Sequence, residues 1–113
     1  MKESPLFVRT YDMLLWLIPQ VQKFPRIHRF GLAEHIQKLG FGFQDSLVAA
    51  GKSSGKERQD WLRKADIQLE QLRVCLRLVR DLQLWSVSQY EHSAKQVMEV
   101  GRLLGAWIKQ TDL

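Results

Sequence analysis

The chain has 113 residues, 45% of them hydrophobic and 26% charged, which suits about one domain and is too apolar for intrinsic disorder. Lys and Arg outnumber Asp and Glu by 17 to 12, giving a formal net charge of +5 and a pI near 9.7; such a surplus favours polyanionic partners and says nothing about fold. A lone cysteine, Cys75, excludes an internal disulfide and a thiolate metal cage, and no apolar run is long enough to span a membrane.

The first residues, Met1-Lys2-Glu3-Ser4-Pro5, lack the charged-then-apolar order of a signal peptide, so a soluble cytoplasmic protein is expected. Strand signals are nearly absent: no period-two alternation is sustained, and no Asn-Gly or Asp-Gly turn occurs. Helix signals recur four times. Ser4 before Pro5 reads as an N-cap followed by an N1 proline, whose missing N–H the helix could not pair anyway. From there Phe7, Tyr11, Leu14, Leu15, Ile18 and Val21 keep helical spacing to about residue 23, with Pro19 expected to kink the run or bend its last turn.

Phe24-Pro25 separates this helix from the next, because the residue before a proline avoids helical angles. The second helix is expected from about 26 to 50, with Leu32, Ile36, Leu39, Phe43 and Leu47 as its buried stripe. Gly40 and Gly42 lower its intrinsic stability and predict a bend or a close helix neighbour. Residues 51–56, Gly-Lys-Ser-Ser-Gly-Lys, read as a loop with Gly51 in a left-handed C-cap; the upstream glycine spacing and the strand of a phosphate loop are missing.

The third helix, about 57–84, carries the cleanest pattern: Leu62, Ala65, Leu69, Leu72, Leu76 and Val79 alternate steps of three and four. Ser86-x-x-Gln89 and Ser88-x-x-Glu91 are overlapping capping boxes for a fourth helix, about 87–110, whose stripe is Ala94, Val97, Gly101, Leu104 and Ile108. Short connections make neighbouring helices antiparallel. The expected fold is therefore all-α, one up-down-up-down four-helix bundle over 1–113.

The fourth helix carries more apolar residues than one stripe needs, since Val100, Leu103 and Trp107 flank it, and Val74, Cys75, Leu78 and Leu82 widen the third helix likewise. Such width is a solubility liability in a free monomer and points to self-association through helices three and four. The expected interface comprises Val100, Leu103, Trp107, Val74 and Leu78, with Gly101-x-x-x-Gly105 allowing close backbone approach. The alternative is a fourth helix that is simply well buried.

Arg73, Arg77 and Arg80 stand at i, i+4 and i+7, sharing one helix face over about 10 Å. Guanidiniums so spaced can meet successive phosphates. Lys23, Arg26, His28 and Arg29 form a second cluster, and Arg63 and Lys64 are further candidates for contacting nucleic acid or a protein partner. Asp66, Glu70 and Asp81 can offset part of this charge, so a solvated face laced with ion pairs stays open as the alternative.

Catalytic patterns are missing. His28, His35 and His92 do not have metal-binding helical spacing, and no Glu-x-x-His occurs for a bundle di-metal site. Cys75 among Val74, Leu76 and Leu78 reads as an inert thiol, and Trp16, Trp61, Trp85 and Trp107 as packing anchors. Neither an enzyme nor a cofactor is expected.

Three segments in order, Phe24-Pro25-Arg26-x-x-Arg29-Phe30-Gly31-Leu32, Arg80-Asp81-Leu82 and Val100-Gly101-Arg102-Leu103-Leu104-Gly105-x-Trp107-Ile108, with Ser86-x-x-Gln89-Tyr90 between the last two, carry a family resemblance. Over nearly its whole length the chain resembles the accessory variability determinant (Avd) proteins of diversity-generating retroelements. The resemblance implies four-helix bundles assembled into a basic, homopentameric barrel that binds RNA or DNA and the element's reverse transcriptase, supporting mutagenic copying of a template RNA and transfer of the copy into a target gene. The related ribosomal RNA intervening-sequence proteins share the bundle, but their Ile-Pro-x-Asn-Ile-x-Glu-Gly-like stretch is replaced here by Phe41-Gly42-Phe43-Gln44-Asp45-Ser46-Leu47. A pure protein-interaction scaffold is the rival reading.

Overall fold

The computed structural model describes residues 4–111; Met1–Glu3, part of the stretch considered above for a leader, lie outside them. Ser4 caps the first helix, α1 (Pro5–Gln22): its Oγ accepts the N–H of Phe7 at 3.4 Å, and Pro5 occupies the first turn. The helix continues through Pro19 to Gln22. Its buried side is Leu6, Thr10, Met13, Leu14, Leu17 and Val21. Tyr11 and Leu15, expected inside, are exposed at 59% and 64%. α1 is apolar on two faces, and helical spacing alone does not say which one the bundle covers.

The second helix, α2, covers 26–51 in three parts: an α-turn Arg26–His28, a π-helical turn Arg29–Ala33 and a regular stretch Glu34–Gly51. An unbroken α-helix was expected. The π turn holds Gly31, beside which an added Cβ would meet only open space. Ile36, Phe43 and Leu47 are fully buried, while Leu32 and Leu39 are half-buried against the core. Gly40 explains itself by contact, because a Cβ there would lie 2.7 Å from Leu14 Cδ2 of α1. Nearly two turns on, the buried Ser46 hydroxyl donates to Gln68 Oε1 of the next helix at 2.7 Å, fixing the register of that pairing.

Gly51 remains helical. The left-handed glycine is Gly55, with φ of 58°, at the first residue of α3 (Gly55–Asp81). All six seam residues from Leu62 to Val79 are at most 3% exposed. α3 ends in a Schellman motif: the Leu84 N–H reaches the Val79 carbonyl at 3.1 Å and the Gln83 N–H the Arg80 carbonyl at 2.9 Å, with Gln83 at φ 58° where glycine is usual. Only the first capping box forms. Gln89 Oε1 accepts the Ser86 N–H at 2.9 Å and Ser86 Oγ accepts the Gln89 N–H at 3.1 Å, so Ser88 lies inside α4 (Val87–Thr111).

Packing runs around a ring: α1 on α2, α2 most extensively on α3, α3 on α4, and α4 back on α1. Short connections at 23–25, 52–54 and 82–86 alternate the helix directions. The result is a four-helix bundle of 44 × 25 × 24 Å, with no strand among the described residues. Its length matches a helix of 27 residues, about 40 Å at ~1.5 Å per residue. No helix among the described residues is long and apolar enough to cross a membrane.

Because α4 packs between α1 and α3, it uses its apolar width inside one chain. Val100, expected at an interface between copies, is fully buried in this core beside Val97 and Leu104. Gly101 faces α3, where an added Cβ would lie 3.5 Å from both Leu69 Cδ2 and Arg73 Nη2. Leu103 and Trp107 are half-buried, and only Gly105 of the expected α4 set is exposed. Val74 and Leu78 on α3 are exposed at 50% and 47%.

Candidate nucleic-acid interface

Alternating directions bring one end of the bundle together from the close of α1, the start of α2, the close of α3 and the start of α4. Aromatic packing fastens that end. The Trp85 ring lies 6.0 Å from Phe24 and 5.4 Å from Trp16, and Gln89 Nε2 donates to Gln20 Oε1 at 3.1 Å. Two basic clusters some fifty positions apart in sequence therefore share this end: Lys23, Arg26 and Arg29 from the α1–α2 corner, Arg77 and Arg80 from α3.

Every one of these cations is exposed. Arg80 Nε donates to Asp81 Oδ1 at 2.9 Å, and its guanidinium stands 5.0 Å from the Tyr90 ring centre. Hydrogen bonding to Asp81 raises the Arg80 pKa above its ordinary value. Arg29 Nε donates to the Phe24 carbonyl at 3.4 Å. Arg73, farther down α3, pairs with Glu70 and packs over Gly101. Two of the three acids expected to offset the stripe thus do so, Glu70 at Arg73 and Asp81 at Arg80, as exposed pairs that water and salt screen. Arg77 has no ion-pair partner among the described residues.

Arg63 and Lys64 do not join this group. They sit about 20 Å from Arg77 along the α3 axis, at ~1.5 Å per residue, and Lys64 Nζ lies 5.3 Å from the Trp61 ring centre. At the opposite end of the bundle, Trp107 neighbours Phe7, with tilted rings whose centres are 6.0 Å apart, and Arg58, at 5.7 Å, beside an open cleft of about 780 Å³.

Residue spacing missed three features. Ile27 and Phe30, at the α2 entry, are each 84% exposed, the highest values of any large apolar residue here. Tyr90 lies under Arg80 across a helix-to-helix turn, which no periodicity reports. A usable signal was present: residues 13–33 contain no Asp or Glu at all.

No group of three or more His, Cys, Asp or Glu among the described residues is placed to hold a metal ion. Burial raises the Cys75 thiol pKa above its ordinary value, which suppresses the reactive thiolate. What this end offers chemically is fixed positive charge with aromatic faces beside it.

No curated protein matches the chain in sequence. Among solved structures, a protein of unknown function from the S23 ribosomal protein family of Bacteroides thetaiotaomicron VPI-5482 is similar, with a TM-score of 0.84 at 16% identity, covering 92% of this chain and 95% of that one. At such identity the likeness shows the shared four-helix fold. The description bAvd-like matches residues 6–111, nearly the whole chain. The chain belongs to the bAvd-like family.

Proposed function

We propose that this chain is a non-catalytic accessory subunit of a diversity-generating retroelement, whose basic bundle end holds template RNA or cDNA and docks the element's reverse transcriptase. One observation carries the reading: Lys23, Arg26, Arg29, Arg77 and Arg80, distant in sequence, converge on one exposed end with few acids nearby. Phosphates need fork-shaped or point cations, and this end supplies both kinds, with Lys23, Arg26, Arg29 and Arg77 free of ion pairs among the described residues and Arg80 paired only with the exposed Asp81. The family supports the retroelement assignment, and the cytoplasm is where such copying takes place.

A second observation supports self-assembly. Val8, Tyr11 and Leu15 on α1, with Phe41 and Val48 on the adjoining α2, are exposed apolar residues at helical steps. Ile67, Val74, Leu78 and Leu82 form another exposed row on α3. Along α2 the charged residues Glu34, Lys38 and Asp45 separate the two rows. A two-fold dimer that paired like with like would cover one row and leave the other wet, whereas head-to-tail contact of unlike rows covers both and makes a ring where the rotation between copies closes. A homo-oligomeric barrel, pentameric in keeping with the family resemblance, is the assembly we propose. Its interface uses Val74 and Leu78 as read from the sequence, and α1 and α2 in place of Val100, Gly101, Gly105, Leu103 and Trp107.

Reversing Arg73, Arg77 and Arg80 to Glu together tests the site. Binding of a labelled RNA should fall below detection at moderate salt while circular dichroism stays helical, since all three are exposed. Unchanged affinity in a folded variant would refute the assignment.

A further inference from the structure

We infer that the α1–α2 corner binds unpaired nucleotides, with Phe30 as the stacking surface for a base and Arg26 and Arg29 as the anchors of its flanking phosphates. This rests on the nucleic-acid reading above and narrows it to the single-stranded state.

Phe30 does nothing for the fold that is visible in its burial: 84% of it faces solvent, as does 84% of Ile27 one helical turn earlier. By contrast Phe24, a few residues before, is 2% exposed and packs on Trp85. The chain therefore buries one aromatic of this corner and presents the other. Arg26 stands four residues before Phe30 and Arg29 directly before it, and both are exposed, so the corner that presents the ring also presents two guanidiniums. Arg29 Nε donates to the Phe24 carbonyl at 3.4 Å, and the residue is exposed with no ion-pair partner among the described residues. Lys23 adds a third cation one turn back, and the acid-free run 13–33 keeps repulsion of phosphate low.

The choice of ligand follows from what such a surface can engage. An exposed ring on the same corner as guanidiniums gains stacking from the face of a base and charge neutralisation from its flanking phosphates, with little dependence on which base is present. In a duplex the base faces are already stacked on one another, so Phe30 has nothing to stack on and only the cations contribute. An acidic protein surface would complement the charge equally, but it makes no use of strand state. That difference is the basis of the test.

Phe30→Ala and Phe30→Tyr would be compared with the parent protein by fluorescence anisotropy, using a labelled oligoadenylate and an RNA duplex of equal length at moderate salt. Phe30→Ala should weaken oligoadenylate binding about ten-fold, as the loss of one stacked base does, and leave duplex affinity nearly unchanged. Phe30→Tyr should restore the loss, and circular dichroism should not change for so exposed a position. Arg77→Glu is the companion variant, because it lowers affinity for both probes through charge alone. If Phe30→Ala weakens both probes equally, or neither, while Arg77→Glu still weakens both, stacking is refuted and the polyanion reading survives. If the parent protein binds neither probe, both readings fall.

Discussion

Replacing Val100 with Ala separates a residue that builds the bundle from one that joins bundles. Val100 is completely buried within one chain, in contact with the cluster that includes Val97 and Leu104. Removing its two methyl groups forfeits about 0.8 kcal/mol each in transfer energy. A cavity contribution on the order of 1 kcal/mol follows if the surrounding helices do not collapse, giving roughly 2–3 kcal/mol in all. For a chain of this size that is a fall of roughly 10 °C in Tm. Val74→Ala, at a position half open to solvent, should cost under about 1 kcal/mol in the isolated chain and instead weaken self-association. Urea unfolding followed by far-ultraviolet circular dichroism, at concentrations low enough to dissociate oligomers, measures both variants. If Val100→Ala unfolds with an unchanged midpoint, or Val74→Ala is equally damaging in the dissociated chain, α4 does not use its apolar width internally and the packing account is wrong.

Three smaller perturbations test local claims. Thr10 is 1% exposed and its hydroxyl has no hydrogen-bond partner among the described residues, so Thr10→Val should raise stability by about 1 kcal/mol in the same urea experiment. Gln83 occupies the left-handed position of the α3 terminus, and Gln83→Gly should add roughly 0.5–1 kcal/mol by relieving its Cβ, read as a higher Tm. Burial raises the Cys75 pKa, so iodoacetamide should label the native protein more slowly than the unfolded chain near pH 8. The sign also fixes a stability trend: the unfolded thiol releases its proton first, so this contribution is intact below its ordinary pKa and lost as pH climbs through the raised one.

The sequence exposed the architecture where one pattern had one solution. On α3 one stripe alternates steps of three and four without a break, and its six members, Leu62, Ala65, Leu69, Leu72, Leu76 and Val79, are all buried. α1 and α4 were harder for opposite reasons. α1 has two apolar faces, and the bundle covers the one containing Met13 and Leu17, leaving Tyr11 and Leu15 outside. α4 has a wide apolar face because it meets two neighbours, which spacing alone cannot distinguish from one neighbour and a second copy. The π turn at Arg29–Ala33 left no periodic trace, since five residues are too few to shift a pattern. In the candidate site, the arginines were legible as a stripe and a cluster. Their meeting at one end is a property of the alternating topology, and the outward placement of Phe30 depends on which neighbours the corner lacks.

Salt dependence of RNA affinity tests the central claim most directly. If the basic end neutralises several phosphates, log K for a labelled single-stranded RNA should fall linearly with log salt concentration, with a slope steeper than about −2 at roughly −0.7 per phosphate contact. Arg77→Glu should make that slope shallower by about one contact. A slope near zero, with affinity indifferent to salt and to the arginines, would contradict a polyanion-binding accessory subunit.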